Sequence, residues 1–133
     1  MRSQFAPRAL TPEEMELLNW LLEHGLPEAK SFAPQIETTQ ATSGCGCGCP
    51  SILLHVEEGA PLGTNCDRII SDVVGMTTEG KSIGVLLFQN EGKLTELEVY
   101  PLDDIEGSCG FPVLDSLRKL EWVDPSTPEG SKE

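Results

Sequence analysis

The hydrophobic period changes once along this chain, and that change sets the fold class. Residues 11–25, TPEEMELLNWLLEHG, repeat apolar side chains at Met15, Leu18, Leu21 and Leu22, with Leu17 widening the stripe. That is the spacing of one helix face. Thr11 suits the N-cap, Pro12 the first helical position, and Glu14 completes a capping box with Thr11. Gly25 is the natural stop. PEAKSF (27–32) reads as a second short helical piece ended by Pro34.

From residue 35 onward the period is that of strands. QIETTQATS is rich in β-branched residues. SILLHVE places Ile52, Leu54 and Val56 on one face, and DRIISDVVGMTT places Ile70, Val74 and Met76 on one face. KSIGVLLFQN is apolar on both faces, as a strand covered on both sides would be. LTELEVY points Leu97 and Val99 inward and Glu96 and Glu98 outward. EG at 79–80 and NEGK at 90–93 are turns, the second with Gly92 free to take a positive φ. Strands joined by such short turns form an antiparallel meander. FPVLDSLRKLEW reads as a closing helix with Pro112 near its start and Leu114, Leu117 and Leu120 along its apolar edge. The expected architecture is therefore α+β: an N-terminal helix, or two, packed on an antiparallel sheet of four or five strands. Residues 1–10 read as a flexible lead-in, 11–122 as a single α+β domain, and 123–133 as a flexible acidic tail.

A chain of 133 residues can bury one real core. Aromatics make up only 5% of it, so that core is aliphatic, with Trp20, Trp122, Phe5, Phe32, Phe88, Phe111 and Tyr100 as the large fillers. The net charge of −13 excludes phosphate-backbone binding and disfavours anionic membrane surfaces. It attracts a cation or a basic protein partner, and in any case favours solubility. No apolar run is long enough to span a bilayer, and MRSQFAPRALTPEEME lacks the apolar region of a secretory signal. The expected compartment is the reducing cytoplasm, where the five cysteines are thiols or metal ligands before they are disulfides.

Three of those cysteines alternate with glycine in SGCGCGCPS, residues 43–51. Continued as one strand with residues 51–57, the stretch would put Cys45, Cys47 and Cys49 on the face of Ser51, Leu53 and His55. That face lies opposite Ile52, Leu54 and Val56. A bulge at any glycine or at Pro50 would reverse the parity. Burial is the commonest fate of cysteine and the first reading. Metal ligation is the second. Glycines let the backbone wrap an ion, and thiolates suit zinc or copper as Cu(I). Cys66 and Cys109 are the candidates to complete such a set; His55 lies about 20 Å of strand from Cys49. Against this, C-x-C-x-C is not the two-halved C-x₂₋₄-C pattern of structural zinc sites. Redox chemistry is the third. An i, i+2 disulfide would be strained and easily reduced, but no neighbouring cation lowers a thiol pKa.

Elsewhere the chemistry is thin. There is no nucleophile elbow, phosphate loop, dinucleotide fingerprint or H-E-x-x-H. His24 reads as a cap for the end of the first helix and His55 as a half-exposed strand residue. Asp103, Asp104 and Glu106 lack the ligand spacing of an EF-hand and read as a solvated turn. With only two histidines and no paired nucleophile, the chain is not expected to be an enzyme.

The helix LLNWLLEHG, then CGCGCPSILLHVE, GVLLFQNEGKLTELEVYPLDD and a closing P-x-L-x-x-L resemble a family of small uncharacterised bacterial proteins, over roughly residues 11–120. The most specific piece is GCGCP followed by a strand. The LF-x-x-x-G-x-L-x-x-LEVY hairpin is shared more loosely with other uncharacterised families and with some bacterial immunity-type domains. The resemblance implies a bacterial, cytoplasmic α+β protein and carries over no site residue.

Three functions are thus open: a binding domain with a thiolate metal site at the CGCGC stretch, an acidic inhibitor or immunity-like protein docking a basic partner, and a small thiol–disulfide protein.

Overall fold

The computed structural model describes residues 7–43, 51–65, 67–102 and 110–119. The fold is α+β, with its sheet antiparallel at every pairing. In chain order the elements are β1 (Arg8–Ala9), α1 (Pro12–His24), a 3-10 segment (Pro27–Thr38), β2 (Gln40–Ser43), β3 (Ile52–His55), β4 (Ile69–Met76), β5 (Ser82–Asn90), β6 (Lys93–Pro101), a 3-10 turn (Leu114–Ser116) and β7 (Arg118–Lys119). The sheet order is β1-β2-β3-β6-β5-β4-β7. Its strands outnumber the four or five expected because two-residue strands, too short to carry a period, add one to each edge.

α1 forms where its local signals say. The Thr11 hydroxyl accepts from Glu14 N, and the Glu14 carboxylate accepts from Thr11 N, closing the capping box. Leu17, Leu18, Leu21 and Leu22 are buried against the sheet. The helix stops at Gly25, but not through left-handed backbone: Gly25 has φ −90°. A Cβ there would overlap the Ile70 carbonyl oxygen of β4. Glycine is needed for close approach rather than for φ.

The second helical piece is longer than expected and is not ended by Pro34. A 3-10 turn can admit a proline where few backbone donors are required. Residues 35–38 join it, so the strand expected from residue 35 begins at Gln40. The segment buries Ala29, Phe32 and Ile36, and also Gln35. Gln35 Nε2 donates to Pro61 O at 2.9 Å and Gly92 O at 2.6 Å, while its Oε1 accepts from Leu94 N at 3.1 Å. A buried amide is stable only when so satisfied, and here it ties the 57–65 loop to the β5–β6 turn.

β3 keeps the expected parity, with Ile52 and Leu54 buried. β4 does not. A bulge shifts its register on β5 between Ile69 and Ser71, leaving Ile70 as the extra residue. Ile70 and Ser71 are therefore both buried, and Val73 replaces Val74 in the core. Met76 is 46% exposed instead of sharing a core face with Ile70. β5 buries Ile83, Val85 and Leu87 but leaves Leu86 and Phe88 half exposed on the opposite face, so it is covered fully on one side only. The Arg68 guanidinium lies 5.5 Å from the Phe88 ring centroid, which places Phe88 outside the core it was expected to fill.

Both hairpins turn where expected. Gly80 has φ +83°, and the β5–β6 turn has Glu91 at +53° and Gly92 at +87°. Two successive positive φ values match the twist of paired strands. The closing segment differs from expectation. Pro112 bridges Thr77, Leu114–Ser116 makes one 3-10 turn, and β7 pairs with β4. The stretch pairs with the free edge of β4 instead of continuing as a helix. Leu117 is buried, while Leu120 and the tail lie outside the described residues. At the other end, Arg8–Ala9 pair with β2 and Leu10 is buried, while residues 1–6 lie outside the described residues.

Candidate functional site

The five sequence-derived site residues, Cys45, Cys47, Cys49, Cys66 and Cys109, lie outside the described residues, as do Asp103, Asp104 and Glu106. Their flanks are described. Ser43 of β2 is the register partner of Ile52 of β3, so the chain between them has to turn back. Residues 44–50 lie in sequence between these two adjacent antiparallel strands. The far flank is held further: Ser51 Oγ accepts from Val99 N at 2.8 Å and donates to Val99 O at 3.1 Å.

The sheet has two ends. β6 finishes at the end where β4 finishes at Met76 and β5 begins at Ser82; β3 begins short of it, Ile52 pairing with Leu97, whose β5 partner is Leu87. β2 runs toward that end. Gly110, the neighbour of Cys109, is exposed beside Thr77 there, where an added Cβ would stand 3.7 Å from Thr77 Cβ, and Val113 N bonds Met76 O at 2.9 Å. Cys66 lies between two residues held at the opposite end. Gln89 Nε2 donates to Asn65 Oδ1 at 3.3 Å and to Asp67 O at 3.0 Å. The levels of Gln89 and Ile83 on β5 are separated by roughly 20 Å of strand.

The two histidines hold structural positions. His24 ends α1, and its Nδ1 lies 2.9 Å from Trp20 O. A carbonyl can only accept, so this nitrogen carries the hydrogen. The imidazole also stacks on Trp20, ring centroids 4.0 Å apart. His55 is exposed on β3, with Nε2 2.8 Å from Thr42 Oγ1. Among the described residues, no group of three or more His, Cys, Asp or Glu side chains is arranged to hold a metal ion.

One feature was invisible in the sequence. A cleft of about 300 Å³ opens between the end of α1 and the start of β4, lined in part by His24, Leu26, Ile70, Ser71 and Asp72. Burial pushes the Asp72 carboxyl above its usual range. The Tyr100 phenol is likewise raised by burial and by the nearby carboxylates of Asp72 and Glu98. These residues are remote in sequence and form no motif; only the bulge in β4 and the stop at Gly25 bring them together.

No helix among the described residues is long and apolar enough to cross a membrane. No family model, curated protein or solved structure matches the chain.

Proposed function

We propose that this chain is a non-enzymatic binding domain whose β2–β3 connection captures a thiophilic ion, zinc or Cu(I), on Cys45, Cys47 and Cys49. The observation that carries the reading is the pairing of Ser43 with Ile52, which makes the thiol-rich stretch a connection with both ends tethered. Cys45 and Cys49 are at most roughly 14 Å apart even at full extension. Glycine between the thiols lowers the cost of turning their sulfurs inward. Thiolates then supply the bonds, and net charge −13 favours a cation.

Zinc prefers four ligands. Cys109 is taken as the fourth in this reading, because its neighbour Gly110 lies beside Thr77 at the sheet end toward which β2 runs. Cys66, flanked by residues bound to Gln89, is left out.

Elemental analysis of protein purified without added metal tests the proposal. Near-stoichiometric zinc or copper is expected, lost in Cys47→Ser and weakened in Cys109→Ser but not in Cys66→Ser. Protein that stays metal-free after incubation with equimolar zinc or Cu(I) would overturn it. So would a deficit of free thiols showing that the three cysteines are consumed as disulfides.

A further inference from the structure

We propose that the cleft between α1 and β4 is a binding site for a small primary ammonium ion carrying a short apolar stem. It is independent of the thiol segment. Four observations converge on it.

The first is a stranded hydroxyl. Ser71 lines the cleft and is 3% exposed, and its Oγ has no hydrogen-bond partner among the described residues. Most buried polar groups are satisfied, so an orphan calls for a reason. A donor entering the cleft would supply its partner after a change of Ser71 rotamer.

The second is that the polar groups around it are acceptors. Hydrogen on Nδ1 leaves a lone pair on Nε2 in the neutral tautomer of His24. Asp72 borders the cleft and brings negative charge to it, its side chain alternating to the sheet face opposite Ser71. The C-terminal end of α1 is the negative end of its dipole. The next amide, Leu26 N, bonds Ile70 O at 2.9 Å instead of turning back to cap that end. An ammonium group has three donors and no acceptor, the complement of this set.

The third is the apolar remainder. Leu26, Pro27, Ile69 and Ile70 complete the lining, and Ile69 is 40% exposed. They suit a stem of a few carbons, and a pocket of mixed apolar wall and few polar groups is the usual form of a small-molecule site.

The fourth is the backbone. The bulge that puts Ile70 and Ser71 both inward is in the cleft wall. Bulges re-aim side chains next to binding sites. The raised carboxyl pKa of Asp72 is consistent with an acid that lacks a nearby cation.

The test is an amide NMR titration of the full chain with n-butylammonium chloride, run beside sodium butyrate and n-butanol. Saturable shifts are expected at Gly25, Leu26, Ser71 and Asp72, with a dissociation constant on the order of millimolar for so few atoms. Asp72→Asn should weaken binding roughly fivefold or more, as loss of a nearby negative charge does. Ser71→Ala should weaken it with no loss of stability, since its hydroxyl bonds nothing. Shifts of equal size with butyrate or butanol, no saturation, or unchanged affinity in both folded variants would overturn the proposal.

Discussion

Glu91 is the one non-glycine residue with a positive φ among those described, at +53°. It occupies the first central position of the β5–β6 turn, and Gly92 at +87° occupies the second. An L-residue with a Cβ pays for left-handed backbone, and asparagine pays least among those with side chains. Glu91→Asn should therefore stabilise the protein by roughly 0.5–1 kcal/mol. The check is urea unfolding, with a higher midpoint and an unchanged slope. Gly92 would not tolerate the same logic. Its φ is left-handed, and a Cβ would also lie 2.9 Å from Gly63 O. Single residues of this kind were legible in the sequence because turns and caps are local: NEGK and Thr11–Glu14 each carry their own geometry. Gly25 was legible as a stop, though not its reason, since the obstructing Ile70 carbonyl comes from a distant strand.

At the scale of elements, the ion pair between β1 and α1 shows how a two-residue strand is held. Arg8 Nη1 and Nη2 donate to the two Glu14 oxygens, each at 2.9 Å. Burial tends to raise the Glu14 pKa. The Arg8 guanidinium and the Thr11 bonds together outweigh it, leaving Glu14 below its ordinary value. A lowered carboxyl pKa contributes stability that is present above the unfolded value and lost as pH falls through the folded one. Glu14 thus supports the fold at neutral pH and withdraws that support below about 4.5, the ordinary value. Arg8→Ala removes the pairing but leaves the burial, so the carboxyl pKa rises and acid unfolding begins at higher pH. The expected cost at pH 7 is about 1 kcal/mol, because Arg8 is half exposed and solvent screens the pair. Acid titrations followed by far-UV circular dichroism check both parts. A variant whose acid midpoint matches wild type would show that the pair does not set Glu14. Elements bound together in this way were the least legible. The bulge in β4, the bridge from Pro112 to Thr77 and the capture of residues 118–119 by the β4 edge all depend on pairing partners far along the chain. The leucine spacing of 114, 117 and 120 suggested a helix only because that edge was unknown.

Across the whole molecule, the two proposed sites differ in their relation to folding. The described core joins α1 and the 3-10 segment to five strands through residues such as Leu17, Phe32, Ile70, Leu87 and Leu97, each fully buried. These contacts are made among the described residues. Small metal-dependent folds lack such a core, and for them losing the ion is unfolding. Here the ion would add to a structure that already stands, by mass action on the native state alone. The cleft stands in the opposite relation: its acceptors are carried by the packed core and the helix end, so the fold tolerates a stranded Ser71 hydroxyl at some expense in stability. The thiol stretch was conspicuous in the sequence because its chemistry is contiguous; the cleft was not, because His24 and Ser71 meet only after β4 packs on α1. A combined variant, Cys45→Ser, Cys47→Ser and Cys49→Ser, should accordingly abolish metal uptake while keeping the far-UV circular dichroism spectrum and a single cooperative melt. For metal-free protein its Tm should stay within about 4 °C of wild type, the shift that roughly 1 kcal/mol produces in a chain of this size. Loss of the cooperative transition in the variant would mean that the thiol segment is part of the core, as the buried-cysteine reading requires, rather than a site appended to a finished fold.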